Sequence, residues 1–184
     1  FLLNRSSDLR FDCDTSDSGC YGGLMEYAFT WLTKNGGIML ESDYPYKGVK
    51  GVCKSEKSKY IDMKVNGYTK FGSSYSTWTP IDEDEIKELL YEIGPLGVVM
   101  NGSPLGSYVS GIIDVPSSEC PESGINVCLL LVGYGFDSTS GKPYWIIQNS
   151  WGEAWGESGY FRLRRGNSSC GINSYVITAR IKYD

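Results

Sequence analysis

The sequence of 184 residues contains no histidine. Imidazole is the side chain that most often takes up and releases protons near neutral pH, and it is the commonest protein ligand for metals. The six cysteines include no Cys-x-x-Cys pair and have no histidine to complete a zinc site. We therefore expect no metal and no cofactor.

Clusters of positive charge and long apolar runs are also missing. The chain has 17 Lys and Arg against 22 Asp and Glu, for a net charge of −5. Such a chain has no basic patch to neutralise phosphates, so we expect no nucleic-acid partner. Its longest apolar run, residues 127–132, is too short to cross a bilayer, and we expect no membrane span.

What remains is typical of a globular protein, with 41% hydrophobic and 21% charged residues. Residues 1–20 are polar and predict a loop. Apolar spacing predicts a helix over residues 24–34 and a second one that follows Asp82. From Leu96 onward, short apolar runs alternate with turn residues, which indicates strands. The class is α+β, with a helical part at 1–95 and a β-sheet part at 96–184.

Cysteines and sequons together indicate an oxidising compartment. Asn4, Asn101 and Asn167 each begin an Asn-x-Ser sequon and are candidate glycosylation sites. Three sequons beside six cysteines favour the secretory pathway, with an extracellular, lysosomal or vacuolar destination. A cytosolic protein with reduced thiols is the alternative.

One segment carries a specific resemblance. Residues 144–166 read YWIIQNSWGEAWGESGYFRLRRG, and residues 132–135 read VGYG. This pair resembles the C-terminal half of the papain-like, cathepsin-like cysteine proteases. Further segments match that family in the same order along the chain: FDCD at 11–14, GCYGG at 19–23, YPY at 44–46, GPLGV at 94–98 and CGI at 170–172.

The resemblance implies a two-lobe papain-like fold, with a helical left lobe and an antiparallel right lobe. It pairs Cys13 with Cys53 and Cys120 with Cys170. The partner of Cys20 would lie in the N-terminal part of the family domain, which also carries the nucleophilic Cys and does not occur in these residues. We expect an N-terminal segment or a second chain to complete the helical lobe; a truncated sequence is the other interpretation.

The resemblance also locates the catalytic base. The family His precedes the VGYG run and falls on Val127, which cannot hold or transfer a proton. Asn149, which would orient that His, and Trp151, which would shield it, are both retained. The sequence thus predicts a catalytically inactive homologue with a binding or structural role. The alternative is an active cysteine endopeptidase whose nucleophile lies on a missing or separate N-terminal chain.

Several residues match the family's peptide-binding positions. Gly22 and Gly23 would offer backbone groups to an extended peptide, or simply form a turn. The main specificity pocket would be lined by Leu24, Met25, Val99 and Tyr175, although packing roles explain these residues equally well. Trp151 would belong to the groove wall, and the partner would be a peptide or a larger assembly. Cys128, in an apolar strand, is expected to be a buried thiol of the core.

Overall fold

A computed structural model describes residues 7–72 and 79–182 of the chain. Within these ranges the helices are α1 (Ser7–Cys13), α2 (Met25–Asn35) and α3 (Glu83–Ile93). The strands are β1 (Val65–Gly72), β2 (Leu96–Met100), β3 (Ile112–Ile113), β4 (Val127–Asp137), β5 (Lys142–Gln148), β6 (Tyr160–Arg164) and β7 (Tyr175–Ile181).

The seven strands form one sheet in the order β1-β7-β2-β4-β5-β6-β3. Neighbouring strands from β7 to β6 pair antiparallel, whereas β3 pairs parallel to β6. The sheet is therefore mixed rather than purely antiparallel. The predicted α+β class is confirmed.

The helix ends follow from local chemistry. Asp82 caps α3 because its carboxylate accepts a hydrogen bond from the Asp84 N–H at 2.8 Å. Gly36 ends α2 in a left-handed conformation, with φ 75°, and its N–H donates to the Leu32 carbonyl. No helix of the described residues is long and apolar enough to cross a membrane.

The predicted loop over residues 1–20 is wrong at α1. Leu9 is fully buried in α1 and packs in a small core with Ile38, Met39, Tyr44 and Met63. A single buried apolar residue in a polar segment gives no periodic signal, so the helix depends on tertiary packing.

The chain divides into two compact units. The helical unit comprises residues 1–69 and 179–184, and the sheet unit comprises residues 70–178. This division differs from the predicted lobes 1–95 and 96–184, because α3 belongs to the sheet unit. Ile86 and Leu90 of α3 are buried in the sheet unit's core, beside Leu96.

The core of the sheet unit is extensive. Trp145, Phe161 and Leu131 are fully buried at its centre. Alternation along β2, β5 and β6 directs every second side chain inward. Glu83 enters this core and accepts hydrogen bonds from Trp145 Nε1 and the Ser168 N–H, each at 2.7 Å. These bonds satisfy a buried carboxylate.

Candidate functional site

Val127, at the predicted position of the base, begins β4 in the sheet unit. Its Cα lies opposite that of Met100, and its half-buried side chain packs against the core. The neighbouring Asn126 accepts a hydrogen bond from the Gly102 N–H at 2.9 Å. A Cβ on Gly102 would lie 3.0 Å from Val127 Cγ1, so backbone and side chain are in close contact here. Val127 thus presents only methyl groups where the family resemblance puts a proton carrier.

Asn149 follows β5 directly and is buried, with 8% of its surface exposed. Its backbone N–H donates to the Gly159 carbonyl, and its Oδ1 accepts the Ser150 N–H at 2.8 Å. Its Nδ2 has no hydrogen-bond partner among the described residues. An unpaired buried amide costs about 1–3 kcal/mol, which marks Asn149 as a residue that its surroundings do not fully satisfy.

Trp151 belongs to an aromatic cluster that continues from the surface into the core. The residue is 51% exposed, and its ring meets that of Trp155 edge-on, with the ring centroids 5.1 Å apart. Trp155 in turn lies against Tyr108 and the buried Phe161. The indole of Trp151 is therefore held in place from behind while its outer side stays accessible.

A charged network that the sequence did not reveal supports the loop between β5 and β6, which carries Trp151 and Trp155. Arg162 donates two hydrogen bonds to Glu157, at 2.9 and 2.7 Å, and Glu157 accepts a third from the Gly111 N–H. The Arg162 bonds lower the pKa of Glu157 and raise the pKa of Arg162, and burial raises the pKa of Tyr108. Arg162 lies on β6 and Glu157 in the loop before it, and the fold brings the two side chains together.

The glycine segment of the helical unit is fixed by Asp17. This carboxylate accepts the Leu24 N–H at 2.9 Å and pairs with Arg10 at 2.8 Å. A Cβ on Gly23 would overlap Asp17, so only glycine fits there. Both glycines are exposed, and the Gly23 backbone makes no hydrogen bond with other described residues. Leu24 and Met25, both half-buried, start α2.

In the sheet unit, Val99 and Tyr175 come together. Val98 pairs with Val176, so the antiparallel register places Val99 and Tyr175 at the next opposed position. Val99 is half-buried, and Tyr175 is buried with a hydroxyl that has no partner among the described residues. The Lys70 ammonium lies 4.7 Å from the centre of the Tyr175 ring.

The cysteines form the two bridges that the resemblance implies, Cys13–Cys53 and Cys120–Cys170. The side chain of Cys20 lies outside the described residues. The prediction of a buried Cys128 is wrong, because its side chain is exposed. Leu129 and Leu131 of β4 face the core, and alternation therefore turns Cys128 to the opposite face of the strand.

The sequons differ in their surroundings. Asn101 is buried and hydrogen-bonded on both sides of its amide, which makes the expected glycan there incompatible with the fold. Asn167 is exposed, and Asn4 lies outside the described residues. Within those residues, no three His, Cys, Asp or Glu side chains gather closely enough to hold a metal.

Comparison with known proteins identifies related chains. The family model for papain family cysteine proteases matches residues 2–180. A viral cathepsin of Adoxophyes honmai nucleopolyhedrovirus is 39% identical over 96% of this chain and 48% of its own length. Cysteine proteinase 15A of Pisum sativum is also 39% identical, over 96% of this chain and 50% of its own.

Comparison with a solved structure leads to the same family. The digestive procathepsin L2 proteinase from Tenebrio molitor larval midgut superimposes with a TM-score of 0.85 at 31% identity, covering 97% of this chain and 53% of that one. The chain spans about half the length of the relatives that it matches. Match, identity and superposition together show that this chain belongs to the papain family of cysteine proteases and has the papain-like fold.

Proposed function

We propose that this protein is a catalytically inactive member of the papain family with a binding or structural role. The observation that carries the proposal is the absence of histidine from these 184 residues, among which the family resemblance puts Val127 at the position of the base. A cysteine protease needs an imidazole twice: it generates the thiolate, and it protonates the departing amine. A valine side chain performs neither step.

The state of Asn149 supports this proposal. Its side-chain oxygen accepts the adjacent Ser150 N–H, and its side-chain nitrogen is buried without a partner among the described residues. An orienting residue that still had an imidazole to hold would have that oxygen engaged by the ring N–H. Asn149 is better explained as part of a retained scaffold.

Peptide binding is the role that the remaining surface supports best. Gly23 is exposed in the helical unit with an unengaged backbone, which suits strand-like pairing with an extended peptide. Trp151 offers a rigid, half-exposed indole in the sheet unit. Each of these surfaces would bind a peptide without cleaving it. A larger assembly that uses the same surfaces is the structural form of this proposal.

We further propose a polypeptide partner for the helical unit. Among its described residues, α2 has no fully buried side chain: Trp31 and Leu32 pack against the small core of this unit but stay half-buried, as does Ala28. A helix of 11 residues is marginal in water without apolar packing. An N-terminal segment or second chain would cover α2 and bridge to Cys20. Intact mass before and after reduction tests this, and an unmodified Cys20 thiol in a single-chain protein would contradict it.

The proposed location is the secretory pathway, with an extracellular, lysosomal or vacuolar destination. Its support is chemical: two disulfides within 184 residues are maintained in oxidising compartments.

The test of inactivity is hydrolysis of a fluorogenic dipeptide amide by the full-length protein. Three forms are compared: the natural protein, Val127→His, and the matched control Val127→Leu. We expect no turnover by the natural protein or by Val127→Leu. Turnover by Val127→His would show that the rest of the protein still supplies a thiol nucleophile, and its absence would show that the nucleophile is replaced as well.

The second candidate is an active cysteine endopeptidase with its nucleophile on another segment or chain. It is favoured by relatives whose names describe them as cathepsins and cysteine proteinases. Hydrolysis by the natural protein that a thiol-alkylating epoxide abolishes would establish this candidate and reject the inactive one.

A further inference from the structure

The two sequons within the described residues have opposite environments. Both consist of an asparagine, a small residue and a serine, so the sequence alone treats them alike. An N-linked glycan needs a side-chain nitrogen that points into solvent and has no other bonding role. The structure can therefore decide between Asn101 and Asn167.

Both polar atoms of the Asn101 side chain are hydrogen-bonded within the fold. Its Nδ2 donates to the carbonyls of Pro121 and Ser123, at 3.3 and 3.2 Å. Its Oδ1 accepts both the N–H and the hydroxyl of Ser103, at 3.0 and 2.5 Å. Only 5% of the residue is exposed. A sugar on Nδ2 would break the bonds to the 121–123 loop and would have no space.

Asn167 is open. It lies in the loop between β6 and the short helical turn Ser169–Gly171, and it is exposed. Its Oδ1 accepts the hydroxyl of Ser169, the third sequon residue, at 2.6 Å. Its Nδ2 makes no hydrogen bond to other described residues, so the oxygen is fixed while the nitrogen stays available.

We propose that Asn167 carries an N-linked glycan and that Asn101 does not. The donor would be a lipid-diphosphate-linked oligosaccharide. A bond forms between Asn167 Nδ2 and the anomeric carbon of the sugar, the bond from that carbon to the lipid diphosphate breaks with its electron pair on the departing diphosphate oxygen, and the proton lost by the amide balances the charge of that lipid diphosphate. No oxidant or reductant is required.

The glycan would also define a surface of the sheet unit. Asn167 lies at a cleft of about 400 Å³ that Asp114, Glu122 and the Cys120–Cys170 bridge also line. A bulky, hydrated sugar at this edge would keep macromolecules away from the cleft. The inference rests only on the surroundings of Asn101 and Asn167, so it does not depend on the proposed function.

To test this proposal, the full-length natural gene product is expressed in a secretory host and its glycopeptides are mapped. Enzymatic deglycosylation in heavy-oxygen water converts each glycosylated asparagine to a labelled aspartate. We expect the label at Asn167 and its absence at Asn101. An unlabelled Asn167, or a labelled Asn101 in the folded secreted protein, would overturn the proposal.

Two variants sharpen the result. Asn167→Gln should lose the mass of one glycan and remain folded, because the residue is exposed. Asn101→Gln, the matched control, should keep the Asn167 glycan. If Asn101→Gln is not secreted, the map of the unmutated protein still decides, since it reports both sites in one molecule.

Discussion

The helical unit and the sheet unit differ in how much of each is buried. Among the described residues, the core of the helical unit contains five buried side chains, whereas that of the sheet unit contains eighteen. The same chain thus holds one unit with an extensive core and one whose longest helix has no buried side chain. This contrast teaches that fold and chemistry have separate requirements: the sheet unit keeps the papain architecture although the sequence contains no histidine.

The largest effects should come from the disulfides. Cys13–Cys53 closes a separation of 40 residues and Cys120–Cys170 one of 50. On the loop-entropy model each bridge contributes about 4 kcal/mol. Replacing both cysteines of a pair by serine should therefore cost the two units similar free energy, but only the helical unit has a core too small to withstand it.

Limited proteolysis followed by mass spectrometry measures this difference. In the Cys13→Ser/Cys53→Ser variant, cleavage should concentrate in residues 7–69 while the sheet unit stays intact. The Cys120→Ser/Cys170→Ser variant is the matched control and should melt at a lower temperature without selective cleavage in the helical unit. Equal protease resistance of the first variant and the unmutated protein would break the comparison.

The stability of the two cores can be compared directly by truncating one buried leucine in each. Leu9 and Leu131 are both fully buried, one in each unit. Leucine-to-alanine changes in cores cost about 2–5 kcal/mol, depending on how far the site can collapse. We expect about 4 kcal/mol for Leu131→Ala and about 2 kcal/mol for Leu9→Ala, because the smaller core relaxes more easily. Urea unfolding followed by separate probes of each unit measures both values, and a larger loss for Leu9→Ala would reverse the account.

Much of the fold could be predicted from the sequence, and the predictions that failed did so for physical reasons. The predicted change to strands from Leu96 onward agrees with the structure, because α3 ends at Ile93 and β2 begins at Leu96. The face of Cys128 could not be predicted, since residues 127–132 are all apolar or cysteine and have no alternation to read. The burial of Asn101 was also missed, because its partners lie 20 and 22 residues away in the chain.

The features of the candidate site also divide into those that the sequence predicts and those that only the fold reveals. The position of Val127 followed from the VGYG run, which is a local feature. The unpaired nitrogen of Asn149 and the contact of Glu157 with Gly111, 46 residues apart, arise only when strands and loops assemble. A local pattern is therefore enough to predict which residue replaces the base, whereas only the fold reveals the surroundings of Asn149 and Glu157.

The smallest effect concerns pH. The Arg162 hydrogen bonds lower the pKa of Glu157 in the folded state, so this pair stabilises the fold above the unfolded carboxyl pKa. That contribution is lost as the pH falls through the lower, folded pKa. Because both groups are partly exposed, we expect Glu157→Gln to cost about 1 kcal/mol at neutral pH. The difference from the unmutated protein should shrink as the pH falls below the ordinary carboxyl pKa and vanish below the lowered pKa of the folded state.

Unfolding free energies of both proteins across this range test the linkage. Glu56→Gln is a suitable control, because the Glu56–Lys59 pair is more exposed than the Glu157–Arg162 pair and should contribute less. A Glu157→Gln difference that persists unchanged in acid would show that the carboxylate charge is not its origin.

The central claim is that this papain-family protein binds peptides without cutting them. Its most direct test incubates the full-length protein with a defined peptide mixture, recovers the bound peptides and determines their termini by mass spectrometry. The account predicts enriched peptides with their original termini, and weaker enrichment by a Trp151→Ala variant. New termini that disappear when a thiol-alkylating epoxide is added would contradict it.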